Sequence, residues 1–383
     1  MFITDAMALG YQVDSVYTDF SKAFDRVNPY LLLKKLPLWG FSNNIISWIS
    51  SFITNRIQKA KVDNYISHDI FVTSGVPQGS HCAPVLFLIF INDLFEVIQS
   101  SNYLAFPDDL KIFNVVSKPE DVLKLQVDLD NIHQWCCQNQ LYLNVEKCSQ
   151  ISFFRNKSPL INTYHINSAP LKTVRTINDL GVYFDSSLTF KQHIFNICNK
   201  SRRMWGFIVR TCYDFQVDTL KLLFTSLVRP LLEYVSPVWA PYYQTDVLTI
   251  EKIQHKFLRF AEYKLGITHI HGQYDHISKL LNLPSLGDRR IFIDLVTLYK
   301  LINDHLLSDD LCKHIKYYIN SNRVTRNTPI FVIKKTNTNY SQFAPMNRFL
   351  YEANTYCSAN LFNLEIKTFK KSLLTNIQIV QIK

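Results

Sequence analysis

Hydrophobic and polar positions along the chain fall into two alternating regimes. Short β-favouring runs are separated by stretches whose apolar residues recur every three or four positions. Asp14 to Asp19 reads as a strand and Ser21 to Asn28 as a turn or short helix. Leu31 to Leu36 and Ile45 to Phe52 read as amphipathic helices, parted at Pro37 and Gly40. Ile57 to Val62 and Ile70 to Thr73 read as strands, and Val85 to Ile98 as a helix. Tyr103 to Phe106 and Leu110 to Phe113 form a hairpin pattern with Asp108 and Asp109 at its tip. Asp121 to Gln138 places Val122, Leu125, Leu129, Ile132 and Trp135 on one helix face. Leu141 to Asn144, Ile151 to Phe154 and Leu180 to Phe184 read as further strands.

From Phe190 the pattern turns helical, at Ile194 to Arg210, Leu220 to Tyr234, Val247 to Leu265 and Ile291 to Leu301. Asn320 to Asn327 and Thr336 to Gln342 read as loops, and no internal repeat is found. Strands and helices mixed around an antiparallel hairpin predict an α+β fold, not a doubly wound parallel sheet.

Composition sharpens this in three ways. At 383 residues, 47% hydrophobic and 14% aromatic, the chain can hold two or three domains with ample core. The longest apolar run, Val85 to Ile91, is too short to span a bilayer, and the N-terminal M-F-I-T-D-A-M lacks the basic start of a secretory signal. An intracellular chain is expected. The eight cysteines show no C-x-x-C pair, so free thiols are expected. The net charge of +10 is lopsided: residues 1–190 hold 15 basic and 17 acidic residues, residues 191–383 hold 26 and 14. A basic rear half suits contact with a phosphate backbone.

The candidate chemistry centres on Asp108-Asp109. Adjacent carboxylates repel, and a divalent cation is the usual partner that makes such a pair tolerable; the plain alternative is a solvated Pro-Asp turn. Two other stretches bear on the choice. Val16-Tyr17-Thr18-Asp19-Phe20-Ser21-Lys22-Ala23-Phe24-Asp25 is a strand that ends on an acid, and Gly75-Val76-Pro77-Gln78-Gly79-Ser80 is a loop punctuated by Gly and Pro. His68, His193, His269 and His271 form no convincing ligand set.

Taken together, V-Y-T-D-F-S-K-A-F-D, G-V-P-Q-G-S and F-x-D-D-L-K-I-F resemble motifs A, B and C of a reverse transcriptase palm, of the non-LTR (LINE-type) retrotransposon kind. Leu180 to Phe184 resembles the block that closes that palm, and Ser226 to Trp239 the block after it. The resemblance runs from about residue 1 to 260. It implies a palm over residues 1–186, a helical thumb-like region over 187–265, and a C-terminal region, 266–383, of unassigned role. It further implies an RNA-directed DNA polymerase that extends a primer on an RNA template with deoxynucleoside triphosphates, using two Mg²⁺ ions or Mn²⁺ in their place. Asp19, Asp108 and Asp109 would be the metal ligands. Phe24 would exclude a 2′-hydroxyl, the alternative being a core Phe. Gln78 and Gly79 would line the nucleotide and template pocket. Lys147 would stand near the triphosphate as a candidate general acid, or else be a solvated lysine beside Glu146.

The chain departs from that pattern at Pro107, where Ala is usual, and at Cys82-Ala83. The 18 residues before Asp19 cannot contain the fingers that precede motif A in the family. The expectation is an N-terminally shortened copy, with a catalytically inactive remnant that binds nucleic acid as the alternative. A third possibility is a chain that is not stably folded, its palm face left apolar and bare, which an exposed apolar face near Trp39 and Trp48 would favour.

Overall fold

A computed structural model describes residues 1–155, 158–318 and 329–377. They form two units, one of residues 9–177 and one of residues 1–8 with 178–383. The first helix, α1 (Phe2–Ala8), belongs to the second unit, and the chain enters the first through Leu9 and Gly10.

The first unit is built on β1 (Gln12–Asp19), the central strand of a five-stranded sheet. Both of its faces are covered, with Val13 and Val16 fully buried, which is why it reads as a nearly continuous β-branched and aromatic run. Asp14 is tolerated inside because Gln12 Nε2 and Tyr164 Oη donate to its carboxylate at 2.7 and 2.8 Å. Asn28 caps α2 (Pro29–Lys35) by accepting from the Tyr30 and Leu31 amides, and α3 (Asn43–Ile53) follows. Then comes an exposed ribbon: β2 (Arg56–Gln58) pairs with β5 (Ile70–Val72), and β3 (Lys61–Val62) with β4 (Tyr65–Ile66). The run Ile57 to Val62, expected as one strand, is thus broken at Lys59-Ala60.

The helix expected over Val85 to Ile98 is α4 (Ala83–Ile91) followed by tighter 3₁₀ turns over Asn92–Val97. The change comes where Lys35 Nζ takes the Phe90 carbonyl at 2.8 Å and the Asp93 carboxylate at 2.7 Å. The hairpin of β6 (Asn102–Phe106) and β7 (Asp109–Val116) forms as expected. So does α5 (Pro119–Asn139), which buries Leu125, Leu129, Ile132 and Trp135. The Asp128 carboxylate of α5 accepts from the Gln99, Ser100 and Ser101 amides at 2.9, 3.1 and 2.7 Å, fixing the entry to β6. Leu141 to Asn144 makes only a single bridge, Phe20 to Leu143, rather than a strand. With β8 (Ser149–Phe153), the short pair β9 (His165–Ile166) and β10 (Ala169–Pro170), and β11 (Lys172–Thr173), the sheet runs β11-β8-β1-β7-β6, antiparallel except at β11–β8. Trp39 and Trp48 are 40% and 55% exposed, the observation that would favour the third possibility.

The hairpin of β12 (Thr176–Asp179) and β13 (Val182–Asp185) leads into the second unit and stands outside the five-stranded sheet. Asp185 then gathers the Ser187, Thr189 and Phe190 amides ahead of α6 (Lys191–Thr211). The helix expected over Leu220 to Tyr234 is α7 (Val217–Leu223), a π-helical turn over Phe224–Val228, and α8 (Arg229–Glu233). Pro230 has no N–H to give to the preceding turn, and the Arg229 amide reaches back five residues to the Phe224 carbonyl. The one-turn α9 (Ser236–Trp239), α10 (Gln244–Leu265) and α11 (Asp275–Leu280) follow. Trp205 packs edge-on against Phe224, Phe257 and Phe260.

The C-terminal region is more ordered than its sequence suggests. α12 (Leu286–Ile302), α13 (Asp309–Cys312), α14 (Asn339–Gln342), α15 (Pro345–Tyr356) and α16 (Ile366–Asn376) surround a core that includes Leu298, Phe331, Phe349 and Phe369. α14 lies inside a stretch expected as loop; the other expected loop, 320–327, is outside the described residues. Met1 packs on this core, and Tyr340 Oη donates to the Met7 carbonyl at 2.8 Å. Arg348 is held by Asp294 and the Pro237 carbonyl, both at 2.7 Å.

Glu352 is buried beside this ion pair. Desolvation, aided by the charge of Asp294, pushes its carboxyl up to about 9 from an ordinary value of 4.5. The folded form therefore binds the proton more tightly than the unfolded chain. Stability is full below about pH 4.5 and is lost as pH rises towards 9. Glu352→Gln keeps the shape and removes the titration. It should flatten the alkaline fall in a thermal melt and raise Tm at pH 8 by at least about 2 °C. Equal slopes in the two proteins would contradict this.

Candidate active site

Antiparallel pairing of β1 with β7 sets the geometry of the acids. The register runs from Gln12 opposite Val116 to Asp19 opposite Asp109. Two residues 90 positions apart in the sequence thus face each other at the same end of the sheet. Phe106 pairs with Asp109, which leaves Pro107 and Asp108 as the two-residue turn of the hairpin. Neither has a positive φ. Pro107 stands at the second position of the turn, where its fixed φ is favoured and no ladder amide is required. The tip accommodates the substitution that the motif pattern flags.

Asp19 Oδ2 is buried and makes no hydrogen bond. Lys147 Nζ stands 3.3 Å from it, with the lysine side chain 67% exposed. The pair is an electrostatic contact without hydrogen-bond geometry. The backbone explains the approach: the Asn144 amide donates to the Asp19 carbonyl and the Ser21 amide to the Tyr142 carbonyl, both at 2.8 Å, which staples the 141–147 loop to the end of β1. The Asn144 carbonyl then accepts from the Lys147 amide at 3.0 Å. Lys147 is thus both largely solvated and in reach of the Asp19 carboxylate.

Asp19, Asp108 and Asp109 offer hard oxygen, the chemistry that suits Mg²⁺ or Mn²⁺, and Asp19 Oδ2 is a buried acceptor that makes no hydrogen bond and faces the Lys147 ammonium. Among the described residues, no three His, Cys, Asp or Glu side chains already converge as a metal shell.

Phe24 is half-buried, its ring stacked on Phe87 at 4.8 Å. Gln78 lies in a loop sewn to the segment after Asp19: Gly75 N to Val27 O at 2.8 Å, Val76 N to Phe24 O at 2.9 Å, Ser74 Oγ to Asp25 O at 2.8 Å, and Gln78 Nε2 to Asp25 Oδ1 at 2.7 Å. Gly75 is required here. Its φ is +85°, and a Cβ would stand 2.8 Å from the Asp25 backbone. Gly79, at φ +82°, turns in open space, and Ser80 to Cys82 separate it from α4. The motif loop is therefore not itself the helix N-terminus.

Arg56, which the sequence did not single out, braces the same loop. Its Nη2 donates to the Gly75 and Ser74 carbonyls at 2.6 and 3.2 Å, and its Nε to the Ile53 carbonyl at 3.2 Å. A lone arginine in a three-residue strand gives no sequence signal. Asp25, Arg56, Lys59, Phe71, Ser74 and Gln78 line an open groove of about 1030 Å³.

His193 and His269 have partners of their own. His193 is buried against Trp239, and desolvation lowers it to about 4. His269 Nδ1 pairs with Glu262 at 2.6 Å. All eight cysteines are free thiols. Among the described residues no helix is long and apolar enough to cross a membrane.

The reverse transcriptase (RNA-dependent DNA polymerase) family model matches residues 15–185, a span that holds Asp19, Asp25, Asp108, Asp109 and the 74–79 and 141–147 loops. The RNA-directed DNA polymerase of the mobile element jockey from Drosophila melanogaster is 27% identical over 305 residues, covering 75% of this chain and 32% of its own. The Pol polyprotein of the type-1 retrotransposable element R2 from Popillia japonica is 27% identical over 220 residues, 51% of this chain and 34% of its own. The chain thus spans about a third of the length of these relatives. Apo telomerase from Candida tropicalis aligns over 82% of this chain and 55% of its own at 11% identity and a TM-score of 0.36, a likeness too distant to bear on the site. With motifs, hairpin geometry and relatives in agreement, residues 15–185 form a reverse transcriptase domain, and the chain is similar to the polymerases carried by non-LTR retrotransposons.

Proposed function

We propose that this chain is an RNA-directed DNA polymerase unit that extends a primer 3′-hydroxyl on an RNA template with deoxynucleoside triphosphates. The observation that carries the reading is the register that sets Asp19 opposite Asp109, with Lys147 Nζ 3.3 Å from Asp19. Asp19, Asp108 and Asp109 would hold the metal. Two Mg²⁺ ions, or Mn²⁺ in their place, supply charge neutralisation at the triphosphate and activation of the 3′-hydroxyl when bound. The primer 3′-hydroxyl gives up its proton to solvent as its oxygen bonds the α-phosphorus and the bond from that phosphorus to pyrophosphate breaks. Lys147 Nζ, drawn from Asp19 by the triphosphate, would protonate the leaving pyrophosphate. The Phe24 ring, fixed by Phe87, excludes a 2′-hydroxyl, and Gln78 and Gly79 line the nucleotide pocket.

In this reading the palm falls in residues 1–186 and the thumb in 187–265. The thumb contributes α6, whose Lys200, Arg203, Phe207 and Arg210 recur three and four apart and are all exposed. Three cations with an aromatic between them suit a nucleic-acid strand. The 266–383 region serves as the core that steadies this helical unit. Free thiols fit an intracellular ribonucleoprotein, nuclear or cytoplasmic.

A second reading, a nucleic-acid-binding protein without catalysis, draws on the same stripe, because α6 needs no metal shell to bind a strand.

Primer extension on an RNA template with Mg²⁺ separates them. The chain and its Pro107→Ala variant should extend within a few-fold of each other, since the turn already accepts proline. Asp108→Asn should reduce extension by at least about 10³-fold. No extension by any of the three, with binding intact, would favour the second reading. Phe24→Ala should admit ribonucleotides while keeping deoxynucleotide incorporation; unaltered sugar selection would leave Phe24 a core residue. Replacing Arg203 and Arg210 by Ala should lower the slope of log K against log salt by about 2, uniformly across sequences. An unaltered slope would remove α6 from the binding surface.

A further inference from the structure

Asp25 is the one acid of motif A that the polymerase reading leaves without a task, yet both its backbone and its side chain engage the 74–78 loop. Its carbonyl accepts from Ser74 Oγ, its Cα and carbonyl crowd Gly75, and its carboxylate accepts from Gln78 Nε2 at 2.7 Å. Arg56 holds the carbonyls of the same loop from the β2 side. The loop is clamped from two directions, so the position of Gln78 follows from the position of Asp25.

The carboxylate also settles which way the Gln78 amide faces. An ionised carboxylate only accepts hydrogen bonds, so the amide must turn its NH₂ group towards Asp25 and its Oε1 away. We infer that Asp25 is a positioning residue of the nucleotide site: it fixes Gln78 so that Oε1 accepts a hydrogen bond from a donor group of the bound substrate. That donor is a sugar hydroxyl or an exocyclic base amine, carried by the incoming nucleotide or by the template strand. Both side chains are exposed in the free protein. Water therefore competes with their bond until a strand or nucleotide covers it, and the same bond strengthens as the site fills. The inference rests on the polymerase reading and gives the motif acid a task apart from metal binding.

The test uses the whole chain with an RNA template, a DNA primer and Mg²⁺, measuring KM for one deoxynucleoside triphosphate, kcat, and Kd for the primer–template. Four variants are compared: Asp25→Asn, Asp25→Glu, Gln78→Leu and the Asp25→Asn/Gln78→Leu double. Asparagine can offer either a donor or an acceptor to Gln78 and so releases the amide; glutamate offers acceptors only. Asp25→Asn should raise KM about tenfold if the donor lies on the incoming nucleotide, or Kd about tenfold if it lies on the template, with kcat within about twofold. Asp25→Glu should recover most of the loss, and the double variant should be no worse than Gln78→Leu alone. Normal extension by the unaltered chain with Asp25→Asn matching it in KM and Kd would overturn the inference alone. So would losses that multiply in the double variant, or a fall in Tm that accounts for the whole effect. Failure of the unaltered chain to extend any primer would overturn the polymerase reading, and this inference with it.

Discussion

The pairing register of β1 with β7 is the constraint on which the rest of this structure depends. Side chains alternate along a strand with a period of two, so a slip of one residue would exchange the faces of the whole strand. Val16 and Ile112, opposite each other and buried, would then turn from the core, and Asp19 would lose its place across from Asp109. The apolar core and the placement of the acids are thus one specification, enforced by the same hydrogen-bond ladder. Burial of Val16 and Ile112 stabilises the arrangement, and Asp19 and Asp109 occupy its solvent end.

The surrounding elements hold that register from the outside. Asp128 fixes the Gln99–Ser101 amides where the chain enters β6, and the Asn144 amide and Tyr142 carbonyl close the end of β1. On the far side of Asp19, the 74–78 loop is stitched to residues 24–27 through four hydrogen bonds that only a glycine at position 75 permits. All of these anchors except the Gln78–Asp25 bond capture a backbone amide or carbonyl. Lys147 and Gln78 thereby lie on short segments whose backbone is already committed, which is how a loop side chain comes to a defined place.

What could be read beforehand follows from how local each signal is. β1, the β6–β7 hairpin and α5 were legible because their apolar periodicity and turn chemistry lie within the segment itself. The C-terminal core was not, since Phe331, Phe349 and Phe369 meet through tertiary packing that no short window contains. The break after Ile91 and the π-helical turn before Pro230 escaped for a related reason: one depends on Lys35, distant in sequence, and the other on how a proline is absorbed rather than on whether it ends the helix. At the site, Asp19, Asp108, Asp109, Phe24 and Gln78 stood out by motif. Arg56 and the hydrogen bond of Asp25 to Gln78 did not, because a brace is recognisable only by what it touches.

The placement of α1 bears on the order in which this protein can be built. Residues 1–8 rest on the unit formed by 178–383, and the Met7 carbonyl waits for a hydroxyl on Tyr340. On a ribosome, residues 9–177 emerge complete long before that hydroxyl exists. The sheet bearing the acids can therefore close early, through its own ladder, while α1 stays without its partner until Tyr340 has been translated. A segment that precedes the sheet is placed only after it, and the helical unit is completed from both sides of the sheet together.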